Sequence, residues 1–297
     1  MSFSDSVARV SRNLARTRAR KISEALRRYY PTPIGVATIR DFDGDLSISL
    51  DRSNYISRAI YWRGSHSTHI VGFLKEYLQP QMTFADIGAN QGELTLIAAK
   101  SLSSGTVLAF EPMPNIFAKL AHNVELNGFS NVRLFNMGLF DSESSLPMYV
   151  KNDSAFGAVN EGVPSLFSTG SDRKEVSVPL RRFDDVARES GLTRLDVMKI
   201  DVEGAEMMAL RGAEGSIRQF RPVIIIEISE VNFRNAGYST HDLVVYLKSL
   251  EYDIRSLDDR TGALASQCDA VCFPHARAGK HSELRPGSPP VPALQVD

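Results

Sequence analysis

Between residues 83 and 228, short apolar runs alternate with longer amphipathic ones, and this rhythm constrains the fold more than any other feature of the chain. The short runs are TFADIG, TVLAFE, VRLFNMGL, LDVMKID and PVIIIEI. The longer ones, GELTLIAAKSL, MPNIFAKLAHNVELNG and AEMMALRGAEGSIRQF, carry apolar residues at helical spacing. Strands that are apolar on both sides cannot leave either face in water. They require helices on both faces, which means a doubly wound, mainly parallel α/β sheet. After Ile228, THDLVVYLKSLEY reads as a helix, and YDIRSL and DAVCFP read as two late strands that close the sheet with an antiparallel member.

The rest of the chain divides around this unit. Residues 1–30 hold eight Lys or Arg against Asp5 and Glu24, with apolar residues at roughly helical spacing. They read as one basic helix, ended by Pro31 and Pro33. It is either a solvated helix packed on the domain or a peripheral contact with anionic lipid or another polyanion. Residues 31–80 contain two alternating runs around Asp43 and Gly44, a hairpin signal, and a helical stretch broken near Gly64. They are expected to pack on the core domain, residues 81–273. Residues 141–182 are polar and long for a connector, which points to a lid. Residues 274–297 are Pro-rich and read as a disordered tail.

The turn after the first strand of the alternating unit is DIGANQG, residues 86–92. In open α/β sheets, ligands bind beyond the carboxyl ends of the strands. Gly88 lets the chain bend and a ligand approach the backbone, and Gly92 allows close packing of the following helix. Glu111 ends the next strand, where a carboxylate can accept hydrogen bonds from both hydroxyls of a ribose. The turn and Glu111 together point to an adenosine cofactor. A dinucleotide fingerprint would be G-x-G-x-x-G, but here Asp86 stands where the first glycine would be. A negative charge there suits no pyrophosphate. It suits an ammonium group, such as the methionine end of S-adenosylmethionine.

FADIGANQGELTLIAAK, VLAFEPMPNIFAKLAHNVELNG and LDVMKIDVEGAEMMALRGAEGSIRQFRPVIIIEI together resemble the FkbM family of S-adenosylmethionine-dependent methyltransferases, over residues ~58–257. The resemblance implies the class I methyltransferase (Rossmann-like) fold, seven strands with one antiparallel. It implies that Asp86, Gly88, Asn90 and Gly92 form the methionine-side turn, that Glu111 binds the ribose, and that Gly138 and Leu139 border the adenine. It further implies O-methylation of a sugar, glycan or natural-product acceptor. The chain departs from the family pattern after Gly64, where SHSTHI stands in place of an expected acidic residue.

Methyl transfer to a hydroxyl requires in-line positioning and a group that takes the hydroxyl proton. KIDVEG follows the fourth strand of the alternating unit, beside the cofactor-bearing first strand, so Lys199, Asp201 and Glu203 are the candidate catalytic residues. Asp201 is the first choice to face the methionine or the acceptor, and Glu203 to contact the acceptor or take its proton. Glu227, at the end of the next strand, can join them. The alternative is structural: Asp201 and Glu203 cap the helix that follows, and Lys199 neutralises a carboxylate. No metal is assigned. His66 and His69 sit where a lid could form, and Trp62 with Tyr61 either stacks on a sugar or packs in the core.

Bulk properties limit the alternatives. A net charge of -1 lacks the basic balance of a nucleic-acid-binding protein. Cys268 and Cys272 cannot form a disulfide framework and read as buried thiols in a reducing compartment, the cytoplasm. Two rival readings remain: a nicotinamide-dependent oxidoreductase, disfavoured by the turn's spacing, and a non-catalytic protein that retains the cofactor fold.

Overall fold

A computed structural model describes residues 3–15, 20–151, 164–167, 173–259 and 261–275. The chain opens with α1 (Phe3–Ala15) and α2 (Arg20–Tyr29), then the hairpin β1 (Val36–Phe42) and β2 (Leu46–Asp51), then α3 (Tyr55–Arg63) and α4 (Thr68–Tyr77). The alternating unit begins with β3 (Thr83–Ile87), α5 (Glu93–Ser101), β4 (Thr106–Phe110), α6 (Pro114–Leu126) and β5 (Val132–Phe135). A side sheet follows, of β6 (Gly138–Leu139), β7 (Ser144–Lys151) and β8 (Arg173–Arg181), and then α7 (Phe183–Glu189). The chain returns through β9 (Val197–Ile200), α8 (Glu206–Gly212), α9 (Glu214–Phe220), β10 (Val223–Ser229), α10 (Glu230–Asn235) and α11 (Thr240–Ser249). It closes the main sheet with β11 (Tyr252–Ser256) and β12 (Gln267–Pro274).

The main sheet has seven strands in the order β5-β4-β3-β9-β10-β12-β11. Pairing is parallel from β5 through β10, and β12 runs antiparallel to both its neighbours. Successive strands β3, β4 and β5 step one way across the sheet, and β9 starts again on the other side of β3. The order therefore reverses between β3 and β9, which makes the space beyond their carboxyl ends the natural ligand crevice.

Alternation along the strands sends side chains into two cores. Phe84, Val107, Ala109, Val197 and Ile225 face the layer that holds α5, α6 and the N-terminal segment, including Ile48, Leu50, Ile60 and Trp62. Ala85, Ile87, Leu108, Met198, Ile200 and Ile226 face α7, α8, α9 and α11. Residues 31–80 thus share a continuous core with the sheet. Asp86 and Lys199, register partners across β3 and β9, alternate onto the first of these faces.

Four expectations are corrected. The N-terminus forms two helices rather than one, and their buried Ser11 and Ser23 hydroxyls share a hydrogen bond of 2.8 Å. Residues 206–220 form two helices, the first ending at Gly212 and the second starting at Glu214, and a Cβ on Gly212 would lie 1.9 Å from the Phe140 carbonyl oxygen. The strand expected over residues 132–139 breaks at Asn136, whose side-chain amide donates instead to the carbonyls of Glu111 (2.8 Å) and Pro112 (3.1 Å). The polar segment 141–182 contains an antiparallel pair, β7 with β8. Met148, Val178 and Leu180 from that pair pack with Met113 and Ile116, a short apolar alternation masked by surrounding Ser and charged residues. The expected tail lies outside the described residues from 276 onward.

Candidate active site

The turn after β3 is built around the backbone of β9. Gly88 has φ of 79°, and a Cβ there would lie 1.9 Å from the Asp201 carbonyl oxygen. The close neighbour that excludes a side chain at Gly88 is therefore the β9 exit, which the sequence reading had assigned to a ligand. Gly92 has φ of 100°, and its missing side chain makes room for Leu120 of α6, a helix rather than a strand. Asn90 holds a left-handed φ of 50°, a conformation Asn tolerates better than most residues, and its side-chain oxygen accepts from the Gln91 amide at 2.8 Å.

Asp86 is fully buried at the end of β3. Its Oδ2 accepts from the Thr95 hydroxyl at 2.6 Å, whereas its Oδ1 makes no hydrogen bond. Such an oxygen is costly in a folded protein unless a further donor reaches it. Lys199 lies close, its Nζ 3.6 Å from Asp86 Oδ1 and 3.6 Å from Asp201 Oδ2, but its hydrogen bonds go to the carbonyls of Gly88 (2.7 Å) and Ile87 (3.3 Å). Burial works against the charge of Lys199. Asp201 and Asp86 outweigh burial and hold its pKa above the usual lysine value. Lys199 thus braces the turn from within, beside the carboxylates of Asp86 and Asp201.

Glu111 stands one strand over. Its two oxygens accept from the amides of Asn90 (3.0 Å) and Met113 (2.9 Å). Burial raises its pKa to about 7, with those two amides pulling the other way. Each carboxylate oxygen retains capacity for another donor. Next to it runs an apolar cleft lined by Phe110, Met137, Gly138, Leu139, Met148, Leu166 and Leu180. Gly138 and Leu139 therefore border an apolar space near the end of β4, with Met148 and Leu180 of the side sheet on its wall. An unbonded buried carboxylate oxygen, a second carboxylate with spare lone pairs and an apolar slot follow one another along the strand ends. This set fits the ammonium, ribose and adenine of an adenosyl amino acid.

Beyond β9 the site becomes acidic. Asp201, Glu203 and Glu227 each place an oxygen within 4.8 Å of the others, so these are the residues that could hold a divalent cation. Burial, then Asp201 and Glu206, push Glu203 up to about 8. Burial, then Asp201, Glu203 and Glu206, push Glu227 up to about 10. Asp269, opposite Glu227 on β12, is raised to about 7 by burial and by Asp201.

Neither Asp201 nor Glu203 caps the next helix. Glu206 instead ties down the turn that leads into it: its carboxylate accepts from the amides of Val202 (3.0 Å) and Gly204 (3.0 Å) and from the Tyr238 hydroxyl (3.2 Å). Glu203 is held at a left-handed φ of 53°, and its Oε2 accepts from Asn232 of α10 at 2.8 Å. A non-glycine residue kept in that region is strained, and such strain persists where the surroundings over-determine it.

The other candidates disperse. Trp62 and Tyr61 are buried in the core, Trp62 donating to Thr32 and Tyr61 to Asp5, so neither stacks on a ligand. His66 and His69 are exposed, and His69 approaches Asp258 at 3.9 Å. The acid expected after Gly64 is supplied from elsewhere: Glu93, in the first turn of α5, accepts from Ser65 (2.7 Å) and the His66 amide (2.8 Å). Sequence reasoning missed Glu93, Glu206, Asn232 and Asp269. Only Glu206 carried a signal, since it falls within the KIDVEGAE motif.

A seven-stranded sheet of this order with β12 alone reversed, a glycine turn at the switch point and a carboxylate at the end of the second strand define a class I methyltransferase fold. The Methyltransferase FkbM domain matches residues 86–254, more than half of the chain. The chain belongs to the FkbM methyltransferase family. It is 30% identical to Methyltransferase 1 of Beauveria bassiana over 159 residues, covering 49% of this chain and 64% of that protein. It is 30% identical to methyltransferase sdnD of Sordaria araneosa over 169 residues, covering 49% and 65%. It is 24% identical to the 2-O-methyltransferase NoeI of Sinorhizobium fredii over 152 residues, covering 48% and 62%. The chain spans just under two thirds of the length of each of these relatives.

Proposed function

We propose that the chain is an S-adenosylmethionine-dependent methyltransferase that methylates a hydroxyl oxygen on a sugar, glycan or natural-product acceptor. The observation that carries this reading is the buried Asp86 oxygen without a hydrogen-bond donor, in line with Glu111 and the apolar cleft. When bound, the cofactor supplies an electrophilic methyl group on a sulfonium. Asp86 holds the ammonium, Glu111 the ribose hydroxyls, and Gly138 and Leu139 the adenine.

The acidic group beyond β9 suits the remaining task. Glu203, with its pKa near the working range, takes the acceptor's proton as the oxygen attacks, while Asp201 orients the hydroxyl and Asn232 fixes the Glu203 carboxylate. Family membership and a relative named as a 2-O-methyltransferase support an oxygen acceptor. Two buried, unpaired thiols, Cys268 and Cys272, support a reducing, cytoplasmic setting.

The test is to incubate the protein with methyl-labelled S-adenosylmethionine and hydroxyl-rich acceptors, then locate the label by mass spectrometry. Label on oxygen supports the proposal. Label on nitrogen or carbon refutes the acceptor class. No transfer across a broad acceptor panel, by protein that binds S-adenosylhomocysteine, favours a non-catalytic role.

A further inference from the structure

The two N-terminal helices carry an outer face that the rest of the fold does not use. The inner face of α1 is fixed. Ala8, Ser11 and Arg12 are buried, and Arg12 donates to Asp41 at 2.7 Å and to the Tyr61 carbonyl at 2.6 Å. Phe3 and Val10, seven residues apart and therefore on one side of the helix, point away from Ala8 and Arg12. They are 72% and 52% exposed.

Among the described side chains of α2, only Ser23 is buried. Ile22, Ala25 and Tyr29 follow the i, i+3, i+7 spacing of a single stripe and are all exposed, Tyr29 by 81%. The same helical geometry sets Lys21 and Arg28 along one margin of that stripe, with Glu24 further round and Arg27 on the opposite side, all exposed. The Phe3 ring lies 6.0 Å from the Tyr30 ring, which joins the start of α1 to the end of α2. Just beyond, Ile34 is 85% exposed.

A soluble helix seldom turns a continuous apolar stripe to water, and a nucleic-acid-binding helix has no use for one. Apolar side chains flanked by cations match a bilayer surface, with acyl chains below and phosphates at the margin. Charge is segregated to suit. The first thirty residues hold eight of the chain's 34 Lys and Arg but only two of its 35 Asp and Glu. Among the described residues, no helix is long and apolar enough to cross a membrane, so contact of this kind would be peripheral.

We propose that the outer face of α1 and α2 docks the protein on an anionic lipid surface, with Phe3, Val10, Ile22 and Tyr29 entering the interface and Lys21 and Arg28 meeting lipid phosphates. The docking is independent of the methyl-transfer reading.

The full-length protein is to be sedimented with vesicles of phosphatidylcholine, alone or mixed with phosphatidylglycerol. Binding to the mixed vesicles is expected at least about tenfold tighter, and it should weaken as salt shortens the Debye length from about 10 Å to about 3 Å. Lys21→Glu/Arg28→Glu should abolish the preference. Ile22→Ser/Tyr29→Ser should weaken binding about tenfold or more, since two interfacial anchors are lost. Both variants leave Ser11, Arg12 and Ser23 in place, and near-wild-type melting temperatures certify their folds.

Equal affinity for the two vesicle types, or none for either, overturns the proposal. So does anionic-vesicle binding that soluble polyphosphate competes away and Ile22→Ser/Tyr29→Ser leaves unchanged, which would make the face a polyanion site. Self-association lost in Ile22→Ser/Tyr29→Ser, without vesicle binding, would assign the face to a second copy of the chain.

Discussion

Glu203→Gln tests the chemical role of the acidic group, because it keeps the side chain's shape and removes its basicity. The variant amide oxygen can still accept from Asn232, so the contact at 2.8 Å and the left-handed backbone should survive. In the wild type, burial and the neighbouring Asp201 and Glu206 raise the Glu203 pKa from 4.5 to about 8. A group with that value is about one tenth ionised at pH 7 and about half ionised at pH 8. If its carboxylate takes the acceptor's proton, kcat/KM should climb about fivefold between those pH values and level off above about pH 9. Glu203→Gln should lose about 10²–10⁴ in kcat and flatten the profile, with cofactor affinity little changed. Stability should move the other way. The folded state binds this proton more tightly than the unfolded chain, so the contribution is full below about pH 4.5 and is lost as pH rises through about 8. At pH 9 the Gln variant should therefore melt at or above the wild type. Rates on the identified acceptor from pH 6 to pH 9, with melting curves at the same pH values, decide the matter. A variant with near-wild-type kcat and an unchanged rise through about pH 8 would remove Glu203 from the mechanism and turn attention to Glu227.

Gly88→Ala should destabilise the fold by at least about 2 kcal/mol, because its Cβ meets the Asp201 carbonyl at a position of positive φ; a shift in the denaturant midpoint at constant slope measures this. Lys199→Met leaves the buried Asp86 without its nearby cation and should cost about 3–5 kcal/mol, read by the same denaturation assay. Wild-type apo protein should lose melting temperature between about pH 5 and pH 8, since Glu111, Glu203, Glu206 and Asp269 all carry raised pKa values. A melting temperature that rises across that range would show that these carboxyls do not dominate the titration.

The main sheet was legible because its strands are apolar on both faces, and few other arrangements hide such runs. The places of Asp86 and Glu111 were legible because strand ends fix them to within a residue, whereas what excludes a side chain at Gly88 and Gly92 was not. The side sheet was not, since Met148, Val178 and Leu180 alternate with Ser, Pro and charged residues whose composition reads as loop. The close approach at Gly212 was invisible for a different reason: the Phe140 carbonyl that excludes a side chain there lies some seventy residues earlier in the chain. The roles of Lys199 and Glu206 depend on which neighbours the fold delivers. An acidic residue near a helix start looks the same in sequence whether it ties down the preceding turn, as Glu206 does, or gathers with other carboxylates, as Glu203 does.

Calorimetric titration of the protein with S-adenosylhomocysteine, beside Glu111→Ala, bears most directly on the cofactor site. The wild type should bind one equivalent of ligand. Glu111→Ala should weaken binding by roughly 1.5–3 kcal/mol for each charge-assisted hydrogen bond it removes, before relaxation, while remaining folded. Folded wild-type protein that binds no S-adenosylhomocysteine, or a folded Glu111→Ala protein with undiminished affinity, would contradict the site described for Asp86, Glu111 and the cleft beside them.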